Sequence, residues 1–181
     1  MIVVLGATGN LGSKITAILQ DSNSSFIGVS ATSEIPGFRR GELMDRSFLA
    51  EILSGATSLF SILPGSLYPV WKDYAARITS VLEESPVTHV VNISNAVTEK
   101  GGKPSILNSF ENELNLLGKV NIKHLRCANF FDNLNWGLDN GYDGDLKLPY
   151  ISTHEVASVA ADYLVSRNFS GHSVDELLGP G

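Results

Sequence analysis

Short apolar runs alternate with longer segments of helical periodicity along most of the chain. Residues 2–5 are apolar, mostly β-branched and followed by a glycine, which is typical of a strand buried on both faces. The next apolar positions, Leu11, Ile15, Ile18 and Leu19, recur at helical spacing. The same reasoning predicts further strands at residues 26–29, 38–43, 57–63, 87–93 and 122–126, and helices at residues 11–19, 47–53, 68–82, 107–117 and 153–165.

This alternation predicts an α/β protein with a doubly wound parallel sheet in a three-layer α/β/α arrangement. Ligands of such sheets bind beyond the carboxyl ends of the strands, where the strand order reverses. The loops after Leu5, Val29, Ile62 and Ile93 should therefore face one crevice. Residues 136–149 break the pattern with two turn dipeptides, Asn-Gly and Asp-Gly. We expect a loop or hairpin excursion there, within a single domain spanning residues 1–181.

A glycine-rich segment, GATGNLG, joins the first strand to the first helix. In this position one glycine permits a sharp turn, one lets the backbone approach a pyrophosphate, and one lets helix and strand pack closely. The amides at the helix N-terminus then face the anion. A P-loop is excluded because no Lys-Ser/Thr pair follows the last glycine. The segment therefore predicts a Rossmann fold whose dinucleotide-binding residues are Gly6, Thr8, Gly9, Asn10, Leu11 and Gly12.

The end of the second strand bears on the choice between NAD and NADP. NAD-preferring sites place a carboxylate there to bind the ribose 2′-hydroxyl. This chain has the sequence VSATS instead, so Thr32 and its neighbouring hydroxyls could accept a 2′-phosphate, with Arg39 or Arg40 within reach. We therefore expect NADP(H) to be favoured over NAD(H), although ordinary solvated loop residues would give the same pattern.

Composition narrows the remaining classes. Hydrophobic residues make up 43% of the 181 residues and the net charge is −6, so a packed core is expected and nucleic acid is not an expected partner. Cys127 stands alone and the four histidines are scattered, which argues against a disulfide or a metal site. The short apolar start of the chain is typical of neither a signal peptide nor a membrane span. We expect a cytoplasmic protein.

Five segments in order resemble the NmrA-like family of atypical short-chain dehydrogenases: VLGATGNLGSKI, RRGELMDRSFLAEILSGATSLFSILP, VTHVVNISNA, HLRCANFFDNLNW and PYISTHEVASVAADYL. The resemblance implies that Glu42 and Leu43 lie beside the adenine. It also implies further contacts along the cofactor: Ile62, Leu63 and Pro64 near the ribose and pyrophosphate, Ser94 and Asn95 near the nicotinamide, and Asn129 with its neighbours Phe130 and Phe131 bordering the substrate.

The chain departs from that family in two ways. Our alignment places Glu111, or a neighbour, where related enzymes often carry a lysine. The family's usual C-terminal substrate lid has no counterpart after LLGPG, so we expect a reduced or absent lid. Tyr68 and Lys72 have the spacing of a catalytic pair but precede the fifth strand, which is the wrong part of the chain.

Three functions fit these observations. The first is an NAD(P)H-dependent oxidoreductase acting on a small quinone or carbonyl substrate, in which Ser94 could donate a hydrogen bond to the substrate. The second is a non-catalytic NADP sensor that acts through a protein partner. The third, less favoured, is a sugar-nucleotide epimerase-like enzyme, which would need a Tyr–Lys pair after the fifth strand. The fold alone does not choose among them.

Overall fold

A computed structural model describes residues 1–32, 34–96, 102–136 and 149–179. The strands are β1 (Ile2–Leu5), β2 (Phe26–Ser30), β3 (Phe38–Arg40), β4 (Ser58–Ser61), β5 (His89–Asn95), β6 (Asn121–Cys127), β7 (Asn129–Phe130), β8 (Tyr150–Ile151) and β9 (His172–Leu177). The helices are α1 (Asn10–Asp21), α2 (Arg46–Leu53), α3 (Trp71–Glu84), α4 (Ile106–Leu114) and α5 (Thr153–Ser166).

Seven of the strands form one parallel sheet in the order β3-β2-β1-β4-β5-β6-β9, while β7 and β8 pair separately. The chain moves outward from β1 in one direction and then returns to continue from β4 in the other. The strand order therefore reverses between β1 and β4, and this is the point where a doubly wound sheet leaves a crevice. The prediction of a doubly wound parallel sheet is confirmed.

The sheet separates two cores. Leu5, Leu59 and Val90 point toward α2, α3 and α4, where Tyr74 and Phe110 stack with their ring centroids 5.7 Å apart. The opposite face packs against α1 and α5, and the central strands are buried on both sides. Burying each large aliphatic side chain contributes about 1.5–3 kcal/mol, so both helical layers hold the strand ends in fixed positions.

Several element boundaries differ from those predicted. The helix predicted at residues 68–82 begins at Trp71, because Pro69 lies in a 3-10 helix, Gly65–Val70, that precedes it. The helix predicted at residues 107–117 ends at Leu114 instead of continuing to Gly118. The amides of Leu116 and Leu117 reach back only three residues, to Glu113 and Leu114, which tightens the last turn.

The C-terminal half of the chain combines agreement with one missed strand. The last helix begins at Thr153 as predicted, and it is capped by Ser152, whose hydroxyl accepts the His154 N–H. Strand β9 was not predicted, because its sequence HSVDEL carries Asp and Glu, which are depleted in strands. The predicted excursion at residues 136–149 falls outside the described residues, except at its two ends. None of the helices in the described part of the chain is long and apolar enough to cross a membrane.

Candidate functional site

The glycine segment forms a tight turn between β1 and α1. Gly6 has φ +67°, a left-handed conformation that glycine adopts without strain, and its carbonyl accepts the Gly9 N–H at 2.9 Å. A Cβ on Gly12 would lie 2.1 Å from the Gly6 carbonyl oxygen, so only glycine fits there. Gly9 is the N-cap of α1 and brings no side-chain cap, which leaves the first helical amides for another acceptor. This is the arrangement that binds pyrophosphate at a helix N-terminus.

A cavity of about 260 Å³ opens beside this turn. We call it the glycine-loop cavity. Its lining combines small and hydroxyl-bearing residues with a few larger apolar ones and one acidic residue: Gly6, Thr8, Gly9, Val29, Ser30, Ala31, Thr32, Glu42, Leu43, Pro64, Ser66 and Leu67. Seven of the predicted cofactor-binding residues are among them, namely Gly6, Thr8, Gly9, Thr32, Glu42, Leu43 and Pro64. Ser66 and Leu67, from the 3-10 helix, were not predicted to line a site, since the sequence pattern indicates a loop between the strand at residues 57–63 and the helix at residues 68–82.

Hydroxyl groups line the end of β2 in this cavity. The Ser30 hydroxyl lies 3.2 Å from the Thr8 hydroxyl and accepts the Thr32 N–H at 3.3 Å. Ser30 therefore occupies the strand end where NAD-preferring sites carry a carboxylate. Arg40 is the register partner of Ser30, but its guanidinium is paired with Glu34 at 2.6 Å on the surface. Arg39 pairs with Glu51 instead.

The remaining predicted contacts near the glycine segment lie outside the cavity lining. Leu11 and Leu63 are buried in the cores, and Ile62 packs half-buried against the α1–α5 side. Gly12 serves the close packing described above. The Asn10 side chain is bonded to Lys14 and to Asp132, whose carboxylate also accepts the Thr153 hydroxyl. These placements leave the roles of the five residues in cofactor binding as predictions.

A network of charged and polar side chains lies at the carboxyl ends of β5 and β6. Glu111, on α4, is 2% exposed, and its carboxylate accepts hydrogen bonds from two nitrogens of the Arg126 guanidinium. The Nε atom lies 3.0 and 3.2 Å from the two carboxylate oxygens, and Nη2 lies 2.7 Å from one of them. Ser94 is also 2% exposed and bonds to Glu111, while the Asn108 amide donates to Ser94 and, at 3.0 Å, to the Asn95 carbonyl. Ser94 therefore lies beneath the crevice surface, and its catalytic role stays a prediction.

Burial and charge act in opposite directions on Glu111. Burial alone would raise the pKa of its carboxyl, but the hydrogen bonds from Arg126 and Ser94 bring that pKa below its ordinary value. The hydrogen bonds that Arg126 donates to Glu111 raise the pKa of Arg126 in turn. Glu111 and Arg126 therefore form a closed ion pair, and Glu111 is no substitute for the lysine of related enzymes.

The network continues inward through His124. Its Nδ1 lies 3.2 Å from the Asn92 amide nitrogen and its Nε2 lies 3.0 Å from the Asn115 oxygen. Nδ1 accordingly accepts and Nε2 donates, which fixes a neutral tautomer. Burial lowers the pKa of His124 to about 4, so the ring stays uncharged at neutral pH.

A second cavity, of about 210 Å³, lies over this network and is lined by Asn95, Ala96, Gly102, Pro104, Asn108 and Arg126. We call it the β5–β6 cavity. The family resemblance implies that Asn95 lies near the nicotinamide, which stays a prediction, and sequence reasoning missed Arg126 and Asn108. Arg126 had a signal, because a charged residue within the otherwise buried HLRC strand needs a partner. Its partner was invisible, since the sequence pattern indicates a solvated helix face for Glu111.

The other candidates lie apart from both cavities. Asn129 is half-buried in β7, where its backbone N–H donates to the Pro149 carbonyl. Tyr68 belongs to the 3-10 helix and Lys72 to α3, where its ammonium lies over the Trp71 ring. Cys127 is buried, and burial raises its pKa to about 12. The described residues contain no cluster of acidic, histidine or cysteine side chains suited to a metal ion.

Comparisons with known proteins agree with this fold. No protein-family model and no curated protein sequence matches the chain. Among solved structures, a nucleoside-diphosphate-sugar epimerase from Staphylococcus aureus matches 99% of the chain and 71% of its own, with a TM-score of 0.82 and 18% identity. The triphenylmethane reductase of a Citrobacter species, complexed with NADP(H), matches 95% and 68%, with a TM-score of 0.76 and 19% identity.

A third structure, the UDP-glucose 4-epimerase of Thermus thermophilus in complex with NAD, has a TM-score of 0.73 and 17% identity over 99% of the chain and 78% of its own. At these identities the likeness concerns the fold. The chain therefore has the Rossmann fold found in nicotinamide-dependent epimerases and reductases.

Proposed function

We propose that the chain is an NAD(P)H-dependent oxidoreductase of the NmrA-like type, which reduces a small quinone or carbonyl compound and favours NADP(H). One observation supports dinucleotide binding most directly. No side chain caps the N-terminus of α1, the turn before it has no room for a Cβ at Gly12, and the glycine-loop cavity opens beside this turn. The resemblance of five ordered segments supports the particular family.

We assign the N-terminus of α1 and the residues of the glycine-loop cavity to the parts of the cofactor in turn. The α1 amides would hold the pyrophosphate, and Ser30 and Thr32 would meet the adenosine ribose and its 2′-phosphate. Glu42 and Leu43 would lie near the adenine, as the family resemblance implies. When bound, the reduced nicotinamide supplies a hydride. The protein's own part is to orient the acceptor and exclude water at the carboxyl ends of β5 and β6.

The same site argues for an acceptor that needs little acid catalysis. Ser94 is buried, Glu111 is held as an ionised carboxylate by Arg126, and Tyr68 stands on another segment. A quinone accepts a hydride without an enzymatic proton donor, whereas plain carbonyl reduction gains about 10²–10⁴-fold from one. We therefore expect quinones to be the productive class.

Two measurements test this proposal together. Calorimetric titration should give tighter binding of NADPH than of NADH, and NADPH oxidation should follow addition of a quinone. Tyr68→Phe and Lys72→Ala should leave that turnover nearly unchanged, because both side chains lie outside the two cavities. A loss of about a hundredfold in Tyr68→Phe, the size of a lost proton donor, would place the active site elsewhere.

The buried position of Ser94 also favours a second candidate, an NADP sensor without turnover that acts through a protein partner. Tight NADPH binding with no oxidation by any quinone would support it. The fold likeness to sugar-nucleotide epimerases keeps a third candidate open, and calorimetry with UDP-glucose tests it. Binding of UDP-glucose by the NAD-loaded protein would favour the epimerase-like function over the reductase.

A further inference from the structure

Arg126 is held along one edge only. A guanidinium carries five N–H donors in a rigid plane, and the Glu111 carboxylate takes the Nε hydrogen and one Nη2 hydrogen. The other Nη2 hydrogen and both Nη1 hydrogens remain, and no residue in the described ranges accepts from Nη1. The distal edge of the plane, between Nη1 and Nη2, is therefore a second two-donor fork.

Arg126 lines the β5–β6 cavity. Arg126 is the register partner of Ser94 at the carboxyl end of β5, and its side chain is 35% exposed although Glu111 is buried. The neighbouring Asn108 amide is directed inward, to the Asn95 carbonyl and the Ser94 hydroxyl. Arg126 is thus the cationic donor that the described lining offers to a ligand.

The charge of the site decides which two-oxygen ligand suits this fork. Glu111 neutralises the guanidinium at 2.7 Å, and Glu176 adds a further negative charge nearby. A carboxylate or phosphate would therefore gain little net attraction, while a neutral ligand keeps both hydrogen bonds without opposing Glu111. The cavity of about 210 Å³ also limits the ligand to a small molecule.

We infer that the distal edge of Arg126 binds two adjacent carbonyl oxygens, so that the preferred acceptors are ortho-quinones. The inference rests on the proposed reductase function and narrows its substrate class. Glu111 is the positioning residue, since it fixes the plane and direction of the guanidinium. Two parallel N–H···O bonds match adjacent oxygens and cannot both reach the opposite oxygens of a para-quinone.

The reaction balances without a protein proton donor. With NADPH bound, the quinone would gain a hydrogen with its two electrons, and the cofactor would be left as NADP⁺. The resulting catecholate oxygen keeps its hydrogen bond to the Arg126 fork and takes a proton from water. The raised pKa of Arg126 means that the guanidinium stays charged throughout and acts as a donor of hydrogen bonds.

A matched pair of isomers tests the inference: 1,2-naphthoquinone and 1,4-naphthoquinone have the same composition and size. The ratio of kcat/KM for the 1,2 isomer to that for the 1,4 isomer, each corrected for the uncatalysed reaction with NADPH, is compared across variants. In Arg126→Lys, which keeps the charge but removes the fork, we expect this ratio to fall about 10- to 100-fold, as for loss of a charge-assisted hydrogen bond. Glu111→Leu combined with Arg126→Met removes the buried pair together and should give the same fall.

Calorimetry with NADPH separates the possible failures. Both variants should still bind NADPH, because the proposed pyrophosphate and adenosine contacts lie at the glycine-loop cavity, which neither variant alters. Where turnover is slow, binding of each isomer to the NADP⁺-loaded protein, followed by tryptophan fluorescence, gives the same ratio. A wild type that binds NADPH but shows an unchanged isomer ratio in both variants overturns the inference alone. A wild type that binds no NADPH overturns the proposed function and this inference with it.

Discussion

The glycine-loop cavity and the β5–β6 cavity differ in the groups that form them. The glycine-loop cavity, at the ends of β1 and β2, is lined by glycines, hydroxyl-bearing residues and exposed residues such as Thr32 and Glu42. The β5–β6 cavity rests on an ion pair whose acid is 2% exposed and whose hydrogen bonds lead into the core. One half is shaped by local backbone geometry and the other by side chains from three separate elements.

Because of this difference, we expect mutations at one cavity to change ligand binding and mutations at the other to change the stability of the fold. Surface side chains around the glycine-loop cavity make few internal bonds, so changing them should alter what binds and leave folding intact. The Glu111–Arg126 pair of the β5–β6 cavity is different, because replacing either residue leaves the other without its opposite charge and its hydrogen bonds. Mutations at the two sites should therefore have different signatures in binding and unfolding experiments.

The largest expected effect is on stability at the β5–β6 cavity. Arg126→Met leaves the Glu111 carboxylate buried without its partner, and we expect a loss of about 3–5 kcal/mol in the free energy of unfolding, measured in urea. Adding Glu111→Leu should recover most of that loss. The exposed pair Arg46–Glu84 is the matched control, and Arg46→Met should cost at most about 1 kcal/mol. Equal small losses in both single variants would show that burial of Glu111 carries no energetic weight.

The next effect concerns binding at the glycine-loop cavity. Gly9→Val places a side chain where the pyrophosphate approaches, and we expect NADPH affinity to fall by at least about 100-fold, or about 2.7 kcal/mol. Gly118→Ala, with open space around its Cβ position, should bind NADPH normally. Circular dichroism of both variants checks that the fold is retained. Unchanged calorimetric affinity in Gly9→Val would remove the glycine segment from the site.

The sequence predicted one half of the crevice far better than the other, for a physical reason. Gly6, Gly9 and Gly12 form a contiguous motif whose backbone requirements are local, so spacing and a preceding strand suffice to locate the turn. Glu111 and Arg126 are 15 residues apart on different elements, and only the tertiary fold brings their side chains together. Polar residues on α4 look solvent-exposed until the packing against β5 and β6 is known.

The fold shows the same division between local and tertiary signals. Periodicity located the buried strands and the five helices, because both depend on apolar patterning. Strand β9 escaped, since it lies at the sheet edge and its alternate residues are exposed, which leaves a weak pattern. The predicted start of α3 was wrong because Pro69 lies in a 3-10 helix that precedes it, and the predicted end of α4 was wrong because its final turn is tightened.

The third prediction tests how far the side-chain network reaches into the core. His124 has a pKa of about 4 when folded and about 6.5 when unfolded, so between these values the unfolded chain holds more protons. Its contribution to stability is complete above pH 6.5 and declines as the pH falls toward 4. Between pH 7 and pH 5 we expect a loss of roughly 2 kcal/mol, from the difference in protonation between the two states.

The matched variants for this pH effect are His124→Gln and His154→Gln. His124→Gln should lose most of the decline in stability between pH 7 and pH 5, whereas His154→Gln, at an exposed position, should keep it. Glu111 opposes the lowered pKa of His124, and Arg126 and His172 strengthen it, so the measurement belongs in the otherwise unaltered protein. The same slope in both variants would assign the pH dependence to other groups.

A smaller effect is expected at Thr32, on the exposed side of the glycine-loop cavity. Thr32→Asp introduces a carboxylate that repels a 2′-phosphate and accepts a hydrogen bond from a 2′-hydroxyl. We expect NADPH affinity to fall and NADH affinity to rise, reversing the preference by about tenfold or more in side-by-side titrations. Thr32→Ser is the control with the hydroxyl kept. A wild type that prefers NADH would already contradict the proposed choice of cofactor.

The smallest effect should come from Arg40, whose role depends on exchanging partners. Its guanidinium is bonded to Glu34, and both side chains are more than half exposed, so that pair contributes at most about 1 kcal/mol and can open. Because Arg40 lies beside Ser30 in the register of β2 and β3, a 2′-phosphate at that strand end would compete with Glu34 for it. We expect Arg40→Ala to weaken NADPH binding about fivefold, with the loss shrinking at high salt, and to leave NADH binding unchanged. Arg39→Ala is the matched control, since Arg39 pairs with Glu51 and should affect neither cofactor. Equal losses for NADPH and NADH in Arg40→Ala would mean that Arg40 maintains the shape of the β2–β3 edge and does not read the phosphate.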